Sequence, residues 1–86
     1  MSPAEHLDLV IVVSGVPEPV RINGHEPLEN AVRKALHESG NQGRSPADWE
    51  LRTEDGTLLD QNARADAVGL HEGQTLFLNP RAGAGG

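Results

Sequence analysis

The only clear helical pattern in the chain lies in residues 27–36, and it restricts the possible folds more than any other feature. Apolar residues recur there at positions i, i+3, i+4, i+7 and i+8 and form one stripe: Leu28, Ala31, Val32, Ala35 and Leu36. Pro27 suits the first helical turn, and Gly40 suits the position just after the last turn. A single helix with one apolar face needs a sheet to cover it, and the rest of the chain must supply that sheet.

The segments on both sides of the helix have strand character. Residues 7–13 are rich in β-branched residues and apolar on both faces, which predicts a central strand followed by a turn and a second strand at 20–22. After the helix, residues 49–54 alternate and then turn at Asp55 and Gly56 into a short strand at 57–59. Residues 62–70 fit irregular structure or one helical turn, and 75–78 form the last strand. This order predicts an α+β fold with a mixed sheet of four to five strands and one helix across it. We expect three helix residues to pack against five strand residues: Leu28, Val32 and Leu36 against Leu9, Ile11, Val20, Leu51 and Leu76. Val68 and Leu70 are expected to pack inward as well.

Composition excludes several classes of function. The chain has 86 residues, no cysteine and a formal charge of −6, with six arginines and one lysine scattered among the acids, so we expect one domain and no nucleic-acid binding. The longest apolar run, residues 9–13, is too short to span a membrane, and the N-terminus lacks signal-peptide features. We therefore expect a cytoplasmic protein. Four widely spaced histidines predict no metal site, and the absence of catalytic motifs predicts no cofactor and no enzymatic activity.

The chain resembles ubiquitin and its bacterial relatives from Leu7 to Gly86. The resemblance rests on the opening hairpin, the helix at 27–36, the segments 54–60 and 73–78, and the final Gly85 and Gly86. It implies a β-grasp fold of the ubiquitin type over residues 7–79, with a flexible leader at 1–6. Residues 80–86, called the tail below, are expected to be flexible.

The resemblance also implies a function. In such families an E1-like activating enzyme adenylates the terminal glycine carboxylate, and the tail then passes to a cysteine, so Gly85 and Gly86 would form the conjugation terminus. Partners would be that enzyme, an E2-like conjugating enzyme and a JAB-type peptidase, and the protein itself would be a monomer. Arg81 is either a residue that the activating enzyme recognises or an ordinary solvated one. Lys34 is the only lysine, so it and the Met1 amine are the only amines for self-conjugation, although it equally fits a plain helix-surface residue.

Two other functions remain open at this point. A sulfur carrier for cofactor or tRNA thiolation shares the fold and the Gly-Gly ending, and a non-covalent ubiquitin-like adaptor shares the fold. We also expect the domain to lack the exposed apolar recognition patch of ubiquitin. Alternation sends Trp49 and Leu51 to the core and turns Glu50 and Arg52 to solvent.

Overall fold

The structure, a computed structural model, describes residues 6–82. It contains five strands and one helix, and the predicted fold class is confirmed by a five-stranded mixed sheet with the helix packed across one face. The elements in chain order are β1 (His6–Val13), β2 (Val16–Asn23), α1 (Leu28–Glu38), β3 (Trp49–Thr53), β4 (Leu58–Leu59) and β5 (Thr75–Pro80). Two short 3-10 turns lie at Pro46–Asp48 and Ala65–Ala67.

The strands are arranged in the order β2-β1-β5-β3-β4. β1 and β5 are parallel, and the other neighbouring pairs are antiparallel. β1 is flanked on both sides, as its apolar residues predicted. β2 lies at an edge of the sheet, where Pro17 and Pro19 are tolerated because an outward-facing position needs no N–H donor for the ladder.

The core lies between the sheet and α1, and it contains every residue that the sequence assigned to that contact. The three helix residues and five strand residues predicted to meet are all buried in one cluster: Leu28, Val32, Leu36, Leu9, Ile11, Val20, Leu51 and Leu76. Val68 and Leu70 pack against this cluster while half-buried, again as predicted. Trp49 is buried with 6% of its surface exposed.

The ends of α1 are satisfied in different ways. At the N-terminus no side chain caps the helix, and instead the N–H groups of Leu28 and Glu29 donate to carbonyls at positions 63 and 61. At the C-terminus Gly40 has a positive φ of 84°, and the N–H of Asn41 returns to the Leu36 carbonyl at 2.7 Å. This is the glycine ending that the sequence predicted.

Three boundaries differ from those expected. β1 already begins at His6, which pairs with Asn23, whereas the sequence analysis put residue 6 in the leader. At the other end Pro80 belongs to β5 and pairs with Trp49, so regular structure extends into the segment called the tail. The loop expected before β3 contains a 3-10 turn at Pro46–Asp48.

Candidate functional site: the base of the tail

The two residues predicted to form the conjugation terminus, Gly85 and Gly86, lie outside the described residues. What the structure does describe is the point where the tail leaves the domain. β5 pairs with β3 as far as Pro80, and one residue later the N–H of Arg81 donates to the Asp48 carbonyl at 2.8 Å. The Arg81 side chain also turns back, and its Nε donates to the Ala47 carbonyl at 3.1 Å.

The acceptor for both bonds is the 3-10 turn at Pro46–Asp48. Ser45 precedes the turn in an extended conformation, and its Oγ accepts the N–H of Ala47 at 3.3 Å. Pro46 occupies the first position of the turn and is buried. This turn was not predicted from the sequence, although a serine cap followed by proline is a recognised helix-start signal.

Gln61 also binds this segment. Its Nε2 donates to the carbonyls of Pro46 at 3.1 Å and Trp49 at 2.9 Å. We call the turn Pro46–Asp48, Gln61 and Arg81 together the tail base. Gln61 carries no signal in the sequence, because its partners lie 15 and 12 positions away and become neighbours only when the sheet forms.

A cleft of about 340 Å³ opens beside the tail base. Its walls combine apolar and polar side chains: Pro46, Trp49, Leu58, Leu59, Gln61 and Arg81. Leu58 is 51% exposed, which makes it one of two large apolar side chains so exposed among residues 6–82. The tail base therefore adjoins a partly apolar surface.

Lys34, the predicted self-conjugation acceptor, lies far from the tail base. It is exposed on α1, and its Nζ donates to the Arg21 carbonyl of β2 at 2.7 Å. β2 is the sheet edge opposite to β3 and β4, so the structure does not bring Lys34 and Arg81 together. A salt bridge of 2.7 Å between Arg33 and Glu29 spans one turn of the same helix.

The sheet face opposite to the helix is mixed in character. In β3 it presents Glu50 and Arg52, which form an ion pair at 3.2 Å, and this agrees with the predicted alternation. In β5, however, Phe77 lies in register with Arg52, and in β1 Val12 lies in register with Phe77. Both apolar side chains are half-buried. The charged face predicted for β3 is therefore present at Glu50 and Arg52, and the adjacent strands add half-buried apolar side chains to the same sheet face.

Three aspartates have a perturbed pKa, each because of local hydrogen bonds. The Arg21 guanidinium donates to Asp8 at 2.8 and 3.2 Å and lowers the pKa of that carboxyl. Thr53 and Thr57 donate to Asp55 in the turn after β3, which lowers its pKa. Arg64 lowers the pKa of Asp66 in the same way. Asp8 is half-buried on the sheet surface, Asp55 and Asp66 are exposed, and none of the three lines the cleft beside the tail base.

Within residues 6–82 no group of three or more histidine, aspartate or glutamate side chains is arranged to hold a metal ion. No helix in that range is both long enough and apolar enough to cross a bilayer.

The family described as "Protein of Unknown function (DUF2604)" matches residues 2–86. A protein of Sinorhizobium fredii (strain NBRC 101917 / NGR234), described as "Uncharacterized protein y4jI", is 35% identical over 80 residues. The matched region covers 93% of this chain but 62% of that protein, so the chain spans less than two thirds of the relative's length.

Solved ubiquitin structures share the fold. A designed protein based on ubiquitin superposes with a TM-score of 0.79 at 20% identity, covering 99% of both chains. The ubiquitin of Caldiarchaeum subterraneum superposes with a TM-score of 0.73 at 19% identity, covering 94% of this chain and 99% of that one. At these identities the likeness establishes the fold alone, and that fold is the ubiquitin-like β-grasp.

Proposed function

We propose a function for this chain, which belongs to the DUF2604 family: it is a ubiquitin-like protein modifier of bacterial type, activated at the Gly86 carboxylate and joined to amines of target proteins. The observation that carries the proposal is the distance in sequence between the domain and the two final glycines. Directly after β5 the N–H of Arg81 donates to the Asp48 carbonyl in the turn before β3, and Gly85 and Gly86 follow within five residues.

The tail has the length and composition that this chemistry requires. Five residues span at most about 17 Å when extended, enough to carry a carboxylate from the sheet into an enzyme's active site. Residues 82–86 are alanine and glycine alone, so no bulky side chain in them obstructs a narrow channel. Glycine also adopts backbone angles that other residues avoid.

The proposed reaction sequence starts when an E1-like enzyme binds the tail and ATP. A carboxylate oxygen of Gly86 attacks the α-phosphorus of ATP, and pyrophosphate leaves. A cysteine thiolate of the enzyme then displaces AMP to give a thioester. The thioester reacts with the target from this enzyme, or the tail is first transferred to a cysteine of an E2-like enzyme. A target amine attacks the thioester carbonyl, which forms an amide bond and releases the thiol. A JAB-type peptidase would reverse the final step by hydrolysis.

In this proposal the protein supplies the carboxylate and the recognition surface, and its partners supply the catalytic groups. It acts in the cytoplasm, where ATP is available. Lys34 and the Met1 amine are the candidate acceptors if the modifier forms chains.

The test is ATP–pyrophosphate exchange with the cognate activating enzyme. We expect Gly86→Ala to lower exchange strongly, because the added methyl group lies beside the reacting carbon. Deletion of Gly85 and Gly86 should abolish it. Gly83→Ala is the matched control, since it changes another glycine of the same tail away from the reacting end. The proposal fails if the wild type and all variants are activated equally, or if none is activated.

Two mass measurements separate the rival functions. The intact mass of the protein purified from its own host shows whether the mature chain ends at Gly86, as the proposal requires. A thiocarboxylate, recognised by the mass difference of sulfur for oxygen, would instead identify a sulfur carrier. Lack of activation together with stable co-purification of a partner complex would identify a non-covalent adaptor.

A further inference from the structure

The main-chain carbonyls of residues 46–49 all accept hydrogen bonds from Gln61 or Arg81, the two other members of the tail base. Gln61 binds the first and the last carbonyl through its Nε2. Arg81 binds the two in the middle, one through its main-chain N–H and the other through its side-chain Nε. Gln61 and Arg81 are thus both held by the main-chain carbonyls of the same four-residue segment.

We propose that Arg81 is a positioning residue: its two bonds to the turn fix the point and direction from which the tail leaves the domain. The main-chain bond alone would continue the β5–β3 ladder by one step. The second bond adds a constraint on the orientation of residue 81, because the donors lie on opposite ends of the same residue and reach adjacent carbonyls. This role rests on the proposed function, in which the tail must be delivered to an enzyme.

The advantage is entropic. An enzyme that captures a tail must order its residues, and each residue ordered before binding removes its backbone entropy from the cost of association. A fixed residue 81 presents the residues that follow it from a constant origin beside the cleft at Trp49 and Leu58. Arg81 would then contribute to activation through geometry, without requiring that the enzyme read its charge.

Three variants distinguish this role from recognition of the arginine charge. Arg81→Ala removes the Nε donor and the charge, whereas Arg81→Lys keeps the charge but has no donor at the Nε position. Gln61→Met keeps a similar side-chain length and removes the donor to the Pro46 and Trp49 carbonyls, so it loosens the turn without changing Arg81 itself. Arg44→Ala is the control, because it removes an exposed arginine from the loop just before the turn.

The first measurement needs only the free protein. Amide hydrogen exchange at residue 81, corrected for the intrinsic rate, should accelerate roughly three- to tenfold in all three variants, because each removes side-chain hydrogen bonds that hold the turn to which the Arg81 N–H is bonded. The emission maximum of Trp49, the single tryptophan, should shift in the same variants, because Trp49 pairs with Pro80. Arg44→Ala should change neither signal. Unchanged exchange in Arg81→Ala would refute the positioning role whether or not the protein is a modifier.

The second measurement is activation kinetics with the cognate enzyme. We expect KM to rise roughly three- to tenfold with kcat unchanged in Arg81→Lys and Gln61→Met, while melting shows that both remain folded. The double variant should be no worse than the worse single one, because both act on one turn. Rescue by lysine with no effect of Gln61→Met would overturn the proposal in favour of charge recognition. If the wild type is not activated at all, the proposed function fails, and hydrogen exchange still decides whether Arg81 is fixed.

Discussion

Replacing Leu36 by alanine tests the orientation of the helix and the position of the core. Leu36 lies in the last full turn of α1 with 2% of its surface exposed. It belongs to the stripe that packs on the sheet, and its carbonyl accepts the N–H of Asn41 at the helix end. The substitution leaves this main-chain bond in place and removes only packed side-chain atoms, so the effect reports burial.

The expected loss follows from that burial. Truncating a fully buried leucine to alanine costs about 2–5 kcal/mol, from lost transfer free energy and from the cavity left behind. A domain of this size has a free energy of unfolding of roughly 4–13 kcal/mol. At about 4–8 °C per kcal/mol, a loss of about 3 kcal/mol would lower the melting temperature by roughly 12–24 °C. The variant should therefore be severely destabilised and partly unfolded under mild conditions.

The assay is urea unfolding followed by circular dichroism, with thermal melts in parallel. Leu58→Ala is the matched control: it makes the same chemical change at a leucine that is 51% exposed in β4. It should shift the free energy of unfolding by less than about 1 kcal/mol. Equal losses in the two variants would show that the apolar stripe of α1 does not face the sheet as described.

Two further predictions concern exposed turn and sheet residues. Because Arg21 lowers the pKa of Asp8, the carboxylate stabilises the fold fully above its unfolded pKa near 4, and this contribution disappears as pH falls through the folded value. Asp8→Asn and Arg21→Gln should both flatten the decline of the urea midpoint below about pH 4, and a decline as steep as in the wild type would contradict the pairing. Gly56 has a φ of +90° and open space where a Cβ would lie, so Gly56→Ala should cost about 1–2 kcal/mol through backbone strain alone. Gly56→Asn should cost less in the same melts, and equal losses would point to a steric cause.

The sequence predicted the features that depend on neighbours close in the chain. The stripe from Leu28 to Leu36 repeats with the period of a helix, and the positive φ of Gly40 and Gly56 matches turns that glycine favours. β1 was placed centrally because Val10 and Val12 add apolar side chains to a second face, and the structure flanks it with β2 and β5. Each of these features could be predicted because it depends on the residues of one short segment.

The tail base could not be predicted, because its contacts join three separate segments. Gln61 has the same sequence context as any polar loop residue, and its amide meets the turn only after β3 and β4 have paired. The contacts of Arg81 likewise depend on the antiparallel register that brings Pro80 opposite Trp49. The mixed surface around Phe77 arises in the same way, from the register between β5 and β3.

Stability and the proposed function depend on different parts of this molecule. The core of β1, β5 and α1 supplies the apolar burial, so substitutions there act on the free energy of unfolding of the whole domain. The tail-base bonds of Arg81 lie at the exposed end of the sheet, where one hydrogen bond contributes about 0.5–1.5 kcal/mol, a small part of the total. Variants at Arg81 should therefore stay folded and alter tail delivery, whereas Leu36→Ala should lose folding first. This separation is what makes the role of the tail base measurable in a domain of 86 residues.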